Sequence, residues 1–215
     1  MMRLPNRRPL ICLITSRQTI RASKERADQF TPLVELCSKA ARAGVDLIQI
    51  REKDLPTNQL CDLVSAVVDA TRGTDAAVLV NDRVDVALTC GAHGVHLRSD
   101  SLPTDAARKL VGEDFIIGVS THSVAEAKLA AEMGASFALL GHIFDTPSKR
   151  AYGAPLGLDL LEEAARAVPC PVIALGGIDR SNAAETLARG AAGIAAIRLF
   201  SDAEDMMELV RGIRG

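Results

Sequence analysis

The sequence predicts a single (β/α)8 barrel. Three observations carry that expectation: eight short β-branched or Leu-rich runs, Ala-rich helical patterns between them, and a repeat of about 20 to 30 residues, the rhythm of successive βα units on a parallel sheet. Eight is also the number of strands that closes such a sheet on itself. A doubly wound open sheet is the competing architecture. It would place G-x-G-x-x-G after the first strand, where "LITSRQTIRAS" stands instead.

The elements follow in order. Strand one is expected over Leu10 to Thr15, and the helical stretch "FTPLVELCSKAARAG" leads to strand two, Leu47 to Arg51. The helix "TNQLCDLVSAVVDAT" leads to strand three, Ala77 to Asn81, and strand four follows over Gly94 to Leu97. Strand five is expected over Phe115 to Ser120. After it the helix "SVAEAKLAAEMG" leads to strand six, Phe137 to Gly141. The helices "LDLLEEAARAV" and "SNAAETLARG" flank strand seven, Val172 to Leu175, and strand eight closes the set over Gly193 to Ile197. Several of the helical stretches end in Gly, as a left-handed helix cap prefers. The one long connection, "HIFDTPSKRAYGAPLG" after strand six, is polar and Gly- and Pro-containing, the mark of a lid or binding loop. Residues 1–9 read as an N-terminal tail and 10–215 as one barrel domain.

Composition narrows the function classes. At 215 residues and 48% hydrophobic content the chain can bury a sizeable core. A net charge of -2 without a basic block, no Trp and a single Tyr argue against a nucleic-acid partner. The short apolar part of "MMRLPNRRPLICLITS" suits neither a signal sequence nor a membrane span, so no membrane partner is expected. Cys12, Cys37, Cys61, Cys90 and Cys170 show no CxxC pairing, and an odd count fits a reducing cytoplasm rather than zinc or disulfides. The sequence sets no oligomeric state, with a homo-oligomer among the options.

The polar residues gather at the strand ends, where a barrel of this type carries its site. In "QIREK" the period of two puts Gln49, Arg51 and Lys53 on one face, with Ile50 and Glu52 on the other. Two cations on a buried face would cost several kcal/mol, on the order of the usual penalty, unless an anion meets them. Strand three ends in Asn81 and Asp82, strand four in His96, Arg98, Asp100 and Ser101, and strand five in Ser120 and His122. Strand six feeds His142, Thr146, Ser148 and Lys149. Strand seven ends in Gly176 and Gly177, and strand eight in Ile197 and Arg198. The loops after strands seven and eight suit a phosphate, through backbone N–H groups that glycine leaves open.

Each piece also has a plain structural explanation. His96 fits a hydrogen-bonded core histidine, and His93, in a turn, is expected at the surface. Asp82 and Arg83 fit a helix cap with a salt bridge. Gly176 and Gly177 fit a tight turn, and Glu52 or Asp54 would neutralise Arg51 and Lys53. Only the coincidence at one end of a barrel favours a site.

Taken together, "QIREK", "NDRVDVAL", "GAHGVHL", "GVSTHS", "TPSK", "ALGGI" and "GAAGIAAI" resemble, in order and spacing, the family of thiamine phosphate synthases and the related thiazole tautomerases. The resemblance spans about Leu10 to Phe200. It implies an enzyme that joins hydroxymethylpyrimidine diphosphate to a thiazole phosphate, two small phosphorylated substrates, and releases pyrophosphate. Carried onto this chain, it implies that Gln49, Arg51, Lys53 and Asn81 hold the pyrimidine diphosphate and that Asp82 binds Mg²⁺. It further implies that Ser120, Thr146, Ser148 and Lys149 contact the diphosphate or pyrimidine, and that Gly177 and the strand-eight end near Ile197 hold the thiazole phosphate.

Three departures qualify the resemblance. Ser101 stands where the synthases carry a second Mg²⁺-binding Asp, with Asp100 one residue early as the substitute ligand. "GHIFDT" replaces "GPIFPT", and its His142 is similar to the tautomerase branch. Arg198 replaces a phosphate-binding Ser, and its guanidinium fork either binds the same phosphate or fills the site. A tautomerase would use His122 as its acid/base. A non-catalytic binder of thiamine precursors is the remaining alternative.

Overall fold

The computed structural model describes residues 4–20, 30–146 and 153–215. Strands β1 (Leu10–Ile14), β2 (Leu47–Ile50), β3 (Ala77–Asn81), β4 (Gly94–Leu97), β5 (Ile116–Thr121), β6 (Phe137–Gly141), β7 (Val172–Leu175) and β8 (Gly193–Ala196) close into one parallel barrel in chain order. Around it lie α1 (Thr31–Ala43), α2 (Thr57–Ala70), α3 (Val84–Thr89), α4 (Thr104–Val111), α5 (Val124–Glu132), α6 (Gly157–Ala167), α7 (Ala183–Ala188), α8 (Arg198–Ser201) and α9 (Met206–Arg214).

The expected (β/α)8 barrel is therefore present, with strand ends displaced by a residue at five places. Two of them meet across β1 and β2: the Thr15 N–H still donates to the Gln49 carbonyl at 2.9 Å, while the Arg51 N–H donates to the Thr15 hydroxyl at 2.9 Å. The short helices α3 and α4 lack the long apolar periodicity that marks α1 and α2 in the sequence.

Period-two alternation sorts the strand side chains into an interior and a shell. Leu10, Cys12, Leu47, Leu79, Phe137 and Ile173 belong to the cluster that fills the barrel. The alternate residues, such as Ile11, Ile48, Val78 and Leu140, pack outward under the helices. Two residues further along the same inward rows stand Gln49, Asn81, His96 and Ser120, so the interior changes from apolar to polar toward the C-terminal rim. Burial pushes the Cys12 and Cys37 thiols up to about 12, which leaves both as inert packing groups.

The opposite end is a structural base. Asp46, fully buried just before β2, accepts from the Ile11 N–H at 2.8 Å and from Arg214 Nη2 at 2.8 Å, and it pairs with Arg7. Arg214 also donates to the carbonyls of Gly44 and Pro9, so α9 and the segment before β1 are tied to the barrel floor. The segment expected as a tail is thus anchored from at least Arg7. His93 corrects another expectation: it is half-buried, and its Nδ1 accepts the Val78 N–H at 2.9 Å at the start of β3. No helix among the described residues is long and apolar enough to cross a membrane.

Candidate active site at the C-terminal rim

The site is built from the inward rows where they run out of apolar residues. Gln49, at the end of β2, is buried, and its Nε2 donates to Asn81 Oδ1 of β3 at 3.3 Å. Next in the row is Arg51, half-buried, which meets no carboxylate among the described residues. The acids expected to neutralise it are taken elsewhere. Glu52 is buried, accepts from the Thr15 hydroxyl at 2.7 Å and from the Arg17 N–H at 3.2 Å, and has its pKa raised chiefly by burial. Asp54 pairs with Arg17 Nη2 at 2.7 Å. Arg17, in a 3-10 turn over Arg17–Thr19, thus draws both acids away from Arg51.

His96 and Ser120 face each other across β4 and β5, with Nε2 and Oγ 2.8 Å apart. Burial, with the nearby Arg51 charge second, pushes the imidazole down to about 3. It is neutral throughout the physiological range and orients the Ser120 hydroxyl without adding charge. Gly118 makes this possible. A Cβ there would stand 2.6 Å from His96 Nδ1 and collide with the Phe137 ring, which packs 5.9 Å from the imidazole between centroids. Gly118→Val is therefore expected to displace His96 and weaken the Ser120 contact. An unchanged imidazole NMR signal in that variant would contradict it.

The depressed pKa also predicts a pH dependence. Between about pH 6.5 and 3 the unfolded chain protonates this imidazole and the folded chain does not, so stability falls as pH falls through that window. Glu52, with its folded pKa raised, acts in the opposite direction. Comparison with His96→Gln isolates the histidine. Going from pH 7 to 5, the parent chain is expected to lose about 2 kcal/mol more than the variant in urea unfolding. Parallel losses would refute the assignment.

Lys53, Asn81, Asp82 and Arg98 line a cleft of about 170 Å³ between the ends of β2, β3 and β4. Asp82 does not cap α3: the cap position is Arg83, which pairs with Asp85 at 2.6 Å. Instead Asp82 is held at φ 63, the left-handed region that costs a non-glycine residue about 1 kcal/mol. Its Oδ1 is buried with no hydrogen-bond partner among the described residues, while Oδ2 lies 3.3 Å from Arg98 Nε. Asp100, largely exposed, lies 3.0 Å from the same Nε.

The described residues hold no cluster of three or more His, Cys, Asp or Glu side chains. The donor set instead suits Mg²⁺, which is commonly held by one or two carboxylates together with substrate phosphates and water. The orphaned Asp82 oxygen fits such an ion.

The remaining expected residues are placed as follows. Thr146 is half-buried, while Ser148 and Lys149 lie outside the described residues. Gly176 and Gly177 have φ 97 and 68, and close packing accounts for both. A Cβ on Gly176 would run into His142, and one on Gly177 would come within 2.7 Å of Phe144 Cβ. The Phe144 N–H donates to the Gly176 carbonyl at 3.0 Å, so this turn aims the loop that carries Thr146. Ile197 packs on the interior cluster, and Arg198 is exposed at the start of α8. His122 is more than half exposed, and its Nδ1 faces Glu126 at 3.4 Å. Its N–H donates to the same carboxylate at the start of α5. His96 and Arg17 are the residues that sequence reasoning undervalued. For His96 a signal existed: the alternation Gly94, His96, Arg98 continues an inward row.

Comparison with known proteins agrees with this geometry. A family profile described as thiamine monophosphate synthase matches residues 12–200. The thiamine-phosphate synthase of Chlorobium luteolum is 42% identical over 205 residues, covering 95% of this chain and 91% of that protein. That of Roseiflexus castenholzii is 40% identical over 209 residues, 97% and 88% of the two chains. The thiamine phosphate pyrophosphorylase structure from Pyrococcus furiosus superposes with a TM-score of 0.81 at 33% identity, covering 96% of this chain and 94% of that one. By profile, sequence and structure alike, the chain belongs to the thiamine monophosphate synthase family.

Proposed function

We propose that the chain is a thiamine-phosphate synthase, joining hydroxymethylpyrimidine diphosphate to a thiazole phosphate with release of pyrophosphate. One observation carries the reading: Arg51, free of any carboxylate among the described residues, stands on an inward row beside the Gln49–Asn81 and His96–Ser120 pairs. Such a rim offers fixed donors and positive charge to a diphosphate.

The chemistry then needs little from the protein beyond position and charge. The C–O bond to the diphosphate breaks with its electron pair staying on the leaving oxygen. The pyrimidinylmethyl cation left behind is trapped by the thiazole nitrogen. Arg51 and Lys53 stabilise the leaving group more as its charge grows, which lowers the barrier rather than merely tightening binding. Gln49 and Asn81 fix the substrate's orientation, and Ser120, held by a neutral His96, donates or accepts without perturbing that charge. No step calls for a protein nucleophile, which suits inert thiols. Asp82, with Asp100 beside it, would hold Mg²⁺, and the bound ion supplies further positive charge to the diphosphate oxygens. Gly177, Ile197 and Arg198 are the groups nearest a thiazole phosphate in this reading. The five cysteines, all free, support placing the reaction in a reducing cytoplasm.

A tautomerase would ask His122 for proton transfer, but an enzyme that handles one monophosphate has little use for Gln49, Arg51, Lys53, Asn81 and Asp82 together, and that cluster favours the synthase reading. Incubation of the protein with both substrates and Mg²⁺ tests the choice. Thiamine phosphate and pyrophosphate are expected in equal amounts. Isomerisation of a thiazole carboxylate phosphate with no pyrimidine substrate would establish the tautomerase, and tight precursor binding without turnover in either assay the non-catalytic binder. His122→Ala is expected to keep much of the synthase rate, and near-complete inactivation would overturn the assignment.

A further inference from the structure

The cations on this rim are not equivalent. Arg51 meets no carboxylate among the described residues, whereas Arg98 is held by two, with Nε 3.3 Å from Asp82 and 3.0 Å from Asp100. Neither contact has hydrogen-bond geometry, so Nε is buried and unsatisfied, like the neighbouring Asp82 Oδ1. Two desolvated polar atoms without partners make this arrangement costly, and an incoming ligand that satisfies both would relieve it. The parts also differ in freedom. Asp82 sits in a constrained backbone beside Asn81, which Gln49 holds. The Arg98 side chain is 40% exposed and has solvent to swing through.

We propose that Arg98 is a latch on the Asp82 carboxylate, displaced by a divalent cation and then passed to the diphosphate. This inference rests on the diphosphate reading above. A divalent cation on Asp82 Oδ1 would stand close to the guanidinium beside Oδ2, and the repulsion of the two positive charges at short range loosens the Arg98 pair. Metal entry alone therefore leaves two cations facing each other. A diphosphate accepts both, through bidentate bonds to the guanidinium and oxygens on the metal. Metal and diphosphate thus bind with positive cooperativity through Arg98, and by linkage each tightens the other by the same factor. Arg98 is on this account a positioning residue: it sets the order in which the site fills.

The test is a Mn²⁺ titration followed by electron paramagnetic resonance, with and without inorganic pyrophosphate, corrected for the complex the two form in solution. The parent chain is expected to bind Mn²⁺ weakly alone and more tightly with pyrophosphate. Arg98→Gln is expected to bind Mn²⁺ alone about three- to tenfold more tightly, the worth of two partly exposed ion pairs, and to show weaker coupling by a similar factor, leaving only what direct phosphate ligation of the metal supplies. Arg98→Lys, which keeps the charge, is expected to retain part of the coupling and so separates loss of the latch from loss of fold. Unchanged Mn²⁺ affinity in Arg98→Gln, or coupling as strong as in the parent chain, overturns the latch while leaving the diphosphate reading intact. Absence of pyrophosphate binding to the parent chain at any Mn²⁺ concentration overturns that reading and the latch with it.

Discussion

Arg51→Ala is expected to lower kcat/KM for thiamine phosphate formation by about a hundred- to thousandfold, the scale of losing one preorganised donor to a developing anion. At 4 Å and an effective dielectric of 20, two unit charges interact by about 4 kcal/mol before desolvation is set against it. Glu52 and Asp54, which could have absorbed the Arg51 charge, are engaged by Thr15 and Arg17, so little is compensated locally. For the same reason folding stability should change by less than about 1 kcal/mol, since no ion pair among the described residues is lost. Steady-state kinetics and urea unfolding of the same preparation check both halves. Comparable losses in rate and stability would place Arg51 in the scaffold instead of the site.

At the other end of the barrel, Asp46→Ala is expected to cost about 3–5 kcal/mol in stability, the range for removing one partner of a buried ion pair. The change strands the Ile11 N–H and removes the carboxylate that holds Arg214 and Arg7. The clasp of α9 and of the segment before β1 would loosen together. Turnover per folded molecule should change little, because the chemistry lies at the opposite rim. A stability loss below about 1 kcal/mol would mean that the arginines already find water when the acid is gone.

The two ends of the barrel were unequally legible. The strand rows are local: β3, β4, β6 and β7 lie where their apolar runs do, and the alternation in "QIREK" puts Gln49 and Arg51 on one shared face, which the barrel turns inward. The same alternation in "GVHLR" pointed at His96. Its isolation among apolar neighbours made it resemble a core histidine, and it is one, buried and neutral, with a site hydroxyl as its partner. Asp46 had no comparable signal. Its partners Arg7 and Arg214 are 39 and 168 residues away, and no local pattern links them. Gly176 and Gly177 fit either a phosphate seat or a tight turn from sequence, and only the packed structure shows the steric need, because His142 and Phe144 fill the space a side chain would take.

From residues alone came the barrel, the end expected to bear the site, and the strand-end positions of Gln49, Arg51, Asn81 and Ser120, because period and strand count are properties of the chain itself. Tertiary structure alone decided who neutralises whom: Arg17 draws Glu52 and Asp54 from Arg51, Arg98 bridges Asp82 and Asp100, and His96 is stripped of its proton. The reason is physical. Charge pairing and desolvation depend on distance and burial in space, and the sequence orders residues without saying which of them meet.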